Sequence, residues 1–286
     1  MIAAYIRLAR PKDWLKNVFV FLPVPFALAS GAQLDPVPFV LGLLGFMLTT
    51  SAVYSFNDAR DAERDRLHES KRSRPVAAGL VSESGAYVYS ALLVSAGLGL
   101  AWACGRPAAI PIFAAYIGLQ LAYSLGAKHI TLVDVFLLSS GFVIRVLLGC
   151  TLLQVPASNW LLLCASTLAL FLSLAKRRGD LVKGLDDNHR PSLAGYNTAF
   201  LEQAMGICAG MTIVAYALYT LESEVLKPGR EFAALPFVVF GVLDYLRLAH
   251  VRGKGGSPVD VLLSSPALLV AGVGWLAAVV WSLSLP

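Results

Sequence analysis

The sequence predicts an all-α polytopic membrane protein, a bundle of nine transmembrane helices. Three observations carry that expectation. Hydrophobic residues make up 57% of the 286 positions and charged residues only 14%, outside the range of ordinary globular chains. Apolar stretches near the roughly 20 residues that a spanning helix needs recur at 18–33, 37–56, 84–103, 108–126, 132–154, 158–175, 200–222, 231–248 and 264–285. The basic residues, finally, gather on alternate loops. One transmembrane domain is expected over 1–286, with no stretch left for a separate soluble domain.

The distribution of Lys and Arg sets the expected orientation. Four lie before the first span (Arg7, Arg10, Lys12, Lys16) and six in the second inter-helix loop (Arg60, Arg64, Arg66, Lys71, Arg72, Arg74). Lys128 follows in the fourth loop, Lys176, Arg177, Arg178, Lys183 and Arg190 in the sixth, and Arg247, Arg252 and Lys254 in the eighth. Only Arg106, Lys227 and Arg230 fall on the other side, with Arg145 inside a helix. Basic loops stay cytoplasmic, so the N-terminus and the even loops are expected inside a bacterial-type plasma membrane and the C-terminus outside. The net charge of +5 is largely this topology signal. Cations dispersed over short loops suit anionic membrane lipid and do not indicate nucleic acid. The loops of the opposite side, such as "GAQLDPVP" and "LQVPASN", are short. A single reaction surface on the cytoplasmic side is therefore expected, built on loops 57–82 and 176–197.

At the N-terminus, a basic start followed by an apolar run and Ala27-Leu28-Ala29 imitates a cleaved signal peptide. Cleavage would remove Lys16 and Asn17, which begin the first span level with the reactive side, so that reading is rejected. Lys16 is a candidate phosphate ligand, and Trp14 suits an interfacial anchor.

The second span runs into "SFNDARDAERDR" (55–66). Continued as one helix, it places Asp58, Asp61 and Asp65 at about 0°, 300° and 340°, with Asn57 at about 260°. Three carboxylates and an amide then share one face. Such a face repels itself unless a divalent cation sits among the oxygens, and Mg²⁺ is commonly held by one or two carboxylates together with substrate phosphates. The plainer reading is a solvated helix end with local ion pairs. Lys71, Arg72 and Arg74 come next, before the breakers Pro75 and Gly79. Three cations after a metal-type face suit a diphosphate.

Farther along, Tyr123 and Lys128 close the fourth span as a polar edge in "AYSLGAK". The fifth span carries Asp134 and Arg145 on one face, too far apart along the axis, about 16 Å, to pair directly. An arginine at membrane depth is expensive and functional by default. Arg145 is expected to face a cavity, meeting a phosphate or ordering the acidic helix, and Asp134 to join the metal or sugar site. The glycine-rich loop 252–260 is a candidate cover over the site. The four histidines read as loop residues and the four cysteines, lacking metal-like spacing, as small packing residues.

"NDARDAERDR" (57–66) matches the N-D-x-x-D-x-x-x-D pattern, and with that the chain resembles the UbiA superfamily of membrane prenyltransferases, a nine-helix fold. The stretches 10–17, 51–79, 121–149 and 175–181 resemble its phosphoribosyl-transferring branch. The resemblance implies phosphoribosyl pyrophosphate and a polyprenyl phosphate as substrates and Mg²⁺ as cofactor. The implied products are diphosphate and a phosphoribosyl-phosphoryl-polyprenol that leads to cell-envelope arabinose donors, as for arabinogalactan in a cell wall. It also implies that Asn57, Asp58, Asp61 and Asp65 hold Mg²⁺ and the leaving diphosphate. The second D-x-x-x-D of prenyl-diphosphate users is missing: Asp180, Asp186 and Asp187 lack the spacing, and the loop opens on Lys176, Arg177 and Arg178. A basic run in place of an acidic one fits two anionic substrates, so Lys176 and Arg177 are assigned to phosphates. The rival readings are prenyl transfer to an aromatic acceptor and, from another class, a lipid transporter. A homo-oligomer is compatible with the sequence.

Overall fold

The computed structural model describes residues 2–67, 71–184, 191–251 and 258–283. In chain order its helices are α1 (Ile2–Ala9), α2 (Val24–Ala29), α3 (Pro36–Arg60), α4 (Ala62–Leu67), α5 (Glu83–Ala103), α6 (Ala109–Leu125), α7 (Val133–Leu152), α8 (Asn159–Val182), α9 (Thr198–Leu221), α10 (Leu235–Val251), α11 (Pro258–Ser264) and α12 (Pro266–Ser282). Short 3₁₀ segments cover Pro11–Phe21, Ala127–His129 and Pro191–Gly195. Among the described residues, five helices, α3, α5, α7, α8 and α9, are long and apolar enough to cross a membrane, and α6 and α12 are shorter apolar helices. The count of nine spans thus remains an expectation, while the all-helical, membrane-embedded class is found.

The stretch expected as the first span is not one helix. A 3₁₀ segment runs to Phe21 and a six-residue helix follows from Val24, with Pro23 at its N-cap and Pro25 in its first turn. Each proline lacks the N–H that a continuous helix would use. Lys16 and Asn17 accordingly stand in the 3₁₀ segment. Lys176, Arg177 and Arg178 lie within α8, which continues past them to Val182 rather than opening a loop.

The helices form two compact units, Met1–Val20 with Leu34–Leu125 and Phe21–Gln33 with Gly126–Pro286. In the first, α3 is the axis. A Cβ on Gly45 would stand 2.8 Å from the Gly97 carbonyl oxygen, so the α3 and α5 backbones approach closely, as small residues permit in membrane helices. Ser90 of α5 donates to the Ala52 carbonyl at 2.8 Å. Phe46 stacks edge-on to Phe113 of α6. On the N-terminal side, Ser51 donates to the Ala9 carbonyl at 2.7 Å and itself accepts from the Trp14 indole at 2.9 Å. Trp14 therefore straps the 3₁₀ segment to α3.

In the second unit, α8 packs between α7 and α9, and Phe171, Leu174, Leu201, Met205 and Leu248 are buried in its apolar core. Thr212 donates across to Thr167 at 2.9 Å. Both units turn apolar side chains outward: Val88, Leu92 and Trp102 on α5, and Val270, Val273 and Trp281 on α12 are exposed, whereas Thr49, Thr50, Ser51 and Ser55 of α3 are buried.

Candidate active site

The acidic motif is not one unbroken helix. α3 stops at Arg60, Asp61 is its C-cap with φ −94° and ψ 6°, and α4 begins at Ala62. Hydrogen bonds from Asp61 N to Asn57 O and from Asp65 N to Asp61 O nevertheless carry the chain through the corner. Asp58 and Asp65 become buried and Asp61 stays half-buried.

What gathers the two buried carboxylates is arginine. Arg74 donates to Asp58 Oδ1 at 3.1 Å and to Asp65 Oδ2 at 2.6 Å. Arg10 also donates to Asp58 Oδ1, and the Lys71 ammonium lies 4.0 Å from Asp65 Oδ1. The second oxygen of Asp58, Oδ2, is buried without a hydrogen-bond partner among the described residues. Asn57 accepts on Oδ1 from the Ser124 hydroxyl at the end of α6. Tyr123 beside it is half-buried, and Arg72 is exposed. Lys16 pairs with Asp13 at 2.6 Å and donates to the Tyr54 hydroxyl at 3.2 Å. Burial opposes the charge of Lys16, but Tyr54 and Asp13 outweigh it and raise its pKa. Arg10 lies over the same Tyr54 ring, 5.0 Å from its centre.

Among the described residues, no three His, Cys, Asp or Glu side chains stand close enough to hold a metal ion by themselves. The donor set still fits Mg²⁺, which takes one or two carboxylates and completes its shell with water and substrate phosphate. The bare Oδ2 of Asp58 is the observation that supports the fit. A buried carboxylate oxygen left without a donor is costly, and a bound cation removes that cost.

The second unit holds a different polar cluster. Asp134 is wholly buried and accepts from Arg177 Nε at 2.6 Å, Ser192 at 3.0 Å and Tyr196 at 2.7 Å. Arg177 also reaches Asp180 at 2.9 Å and is itself 0% exposed. Its expected phosphate contact is thus replaced here by two carboxylates: burial of a guanidinium requires full pairing. Burial, then the hydrogen bond to Asp134, pushes the Tyr196 hydroxyl pKa up. Arg178 is clamped by Glu202 at 2.7 Å and the Ala249 carbonyl at 2.6 Å. Arg145 is buried, donates to the Gly141 carbonyl one turn back at 2.6 Å and lies over the Phe142 ring, so its guanidinium folds along α7. Lys176 and Lys128 are half-buried in this unit. His68, Asp186, Asp187, His189 and the loop 252–257 fall outside the described residues.

Arg10, Ser124, Ser192 and Tyr196 are not singled out as site residues by the sequence. Arg10 reads as a topology charge; the signal available for it is its place at the head of "RPKDWLKN" (10–17).

Long apolar helices that turn apolar side chains outward define an integral membrane protein, and its relatives define it as a transferase. The chain belongs to the UbiA prenyltransferase family, which matches residues 17–254. It is 32% identical over 287 residues to the decaprenyl-phosphate phosphoribosyltransferase of Mycobacterium tuberculosis, covering 98% of this chain and 94% of that one. The enzyme of the same name from Corynebacterium glutamicum is also 32% identical, over 96% of this chain and 85% of its own. Among solved structures, a UbiA homologue from Archaeoglobus fulgidus bound to DMAPP and Mg²⁺ superposes with a TM-score of 0.75 at 18% identity, over 97% of this chain and 99% of that one.

Proposed function

We propose that the protein transfers 5-phosphoribosyl from phosphoribosyl pyrophosphate to a polyprenyl phosphate, with release of diphosphate. The observation that carries the reading is the pair of buried carboxylates, Asp58 and Asp65, ringed by Arg10, Lys71 and Arg74. Near-full-length similarity to two enzymes named for decaprenyl-phosphate phosphoribosyl transfer supports the choice of donor and acceptor.

In this reading, Asn57, Asp58, Asp61 and Asp65 hold Mg²⁺ against the donor's diphosphate. When bound, Mg²⁺ supplies neutralisation of the charge that develops on the departing diphosphate. Lys71, Arg72 and Arg74 hold phosphate oxygens left over, with Lys16 and Tyr123 at the edge of the same unit. Lys128, Arg145 and Lys176 remain candidate phosphate contacts, whereas Arg177 is taken up by Asp134 and Asp180. The acceptor's phosphate oxygen attacks the ribose C1 as the C1–O bond to diphosphate breaks, with inversion. A phosphate monoester is already anionic near neutral pH, so the protein's task is to align two mutually repelling anions and hold the leaving charge. The reaction faces the cytoplasm, and the product suits the supply of cell-envelope arabinose donors.

The test uses purified protein in detergent with Mg²⁺, polyprenyl phosphate and ribose-labelled phosphoribosyl pyrophosphate. Label in the lipid phase with wild type, absent with Asp58→Ala, is the expected result. No labelled lipid from a sample that moves a prenyl group from its diphosphate to an aromatic acceptor overturns the reading.

A further inference from the structure

Arg10 sits where the backbone is strained. Its φ is 51°, at the corner between α1 and the 3₁₀ segment. A non-glycine residue in that region is strained and persists only where its surroundings over-determine it. Here they do: the Tyr54 ring lies against the guanidinium, and Asp58 receives it. Arg10 and Arg74 both donate to the same atom, Asp58 Oδ1. Oδ2 has no donor among the described residues, although Asp58 is only 1% exposed. Two guanidiniums therefore do more than neutralise the carboxylate. They fix its rotation, one oxygen saturated and the other bare.

We propose that Arg10 is a positioning residue that holds Asp58 with Oδ2 presented to the divalent cation. This rests on the reading of the site as one for Mg²⁺ and diphosphate. Arg74 has a different task, because it also bonds Asp65 and ties the two carboxylates together. Arg10 pairs with Asp58. Groups that orient a ligand of a metal commonly matter by 10–100-fold in metal affinity.

The test measures Mn²⁺ affinity by electron paramagnetic resonance on the purified full chain, with phosphoribosyl pyrophosphate present. Arg10→Ala is expected to weaken Mn²⁺ by about 10–100-fold, with Arg10→Lys recovering part of the loss. Excess metal should restore kcat in Arg10→Ala and leave the donor KM near that of wild type. Unchanged Mn²⁺ affinity together with a raised donor KM overturns the proposal and makes Arg10 a phosphate contact. Should Arg10→Ala not fold, Arg10→Gln carries the same comparison, and wild-type Mn²⁺ affinity there overturns the proposal. Asp58→Ala separates the two claims: metal binding that survives it sinks the metal reading itself, whereas its loss in Asp58→Ala but not in Arg10→Ala sinks only the role of Arg10.

Discussion

Arg177 Nε meets Asp134 Oδ2 at 2.6 Å with both side chains wholly shielded from solvent. Removing one partner of such a pair strands a buried charge, at a cost of about 3–5 kcal/mol. Asp134→Ala is expected to lower the thermal unfolding temperature in detergent sharply. Arg177→Met, which fills the space without charge, should also destabilise, since it strands Asp134. If either substitution leaves unfolding unchanged, the pair does not hold α7 to α8.

Asp58 and Asp65 should matter more to turnover than Asp61, which is half-buried at the helix corner. Alanine at Asp58 or Asp65 is expected to lower kcat/KM by about 10²-fold or more, the scale of lost transition-state charge stabilisation. A milder loss is expected for Asp61→Ala. Radiolabel transfer to lipid measures all three, and equal losses would argue for the regular helical face that the sequence suggests.

At Gly45, where α3 meets α5, there is no room for a side chain. Gly45→Ala would bring a Cβ to 2.8 Å from a backbone oxygen and 3.1 Å from the Leu100 Cβ. Overpacking of this kind typically costs about 1–3 kcal/mol. Gly99→Ala, with open space around it, should unfold at the wild-type temperature or above it.

Tyr196 supplies a pH signature. Its folded-state pKa is raised by burial and by Asp134, above the value near 10 of an unfolded tyrosine. Stability from the neutral phenol is therefore fully present below about pH 10 and is lost as pH rises through the folded-state pKa. The unfolding temperature of wild type should fall more steeply above about pH 10 than that of Tyr196→Phe. Parallel profiles would mean that Tyr196 does not titrate within the fold.

Runs of apolar residues disclosed the long helices well: the stretch 37–56 is α3 from Pro36, and 84–103 is α5 from Glu83. Hydropathy averages over its window, so it could not see that Pro23 and Pro25 break the first stretch or that Asp61 turns the chain. The same blindness holds for charge. Lys176–Arg178 looked like a loop because they are basic, yet Arg177 and Arg178 find carboxylates at Asp134 and Glu202, residues 43 and 24 positions away. The motif at 57–65 located the acidic site, because its residues are close in sequence. The Arg10–Asp58 bond spans 48 positions and obeys no period, so only the fold could reveal it.

With Val88, Leu92, Val270 and Val273 outermost and the hydroxyls of Thr49, Thr50 and Ser51 within, the molecule wears its oil as a coat. Water is then a poor solvent for the intact protein, not only for the denatured one. Dilution of a sample below the point where detergent still forms micelles should make such coats fuse with one another. Activity lost in that way would come back on adding amphiphile, and it would say nothing about the carboxylates inside.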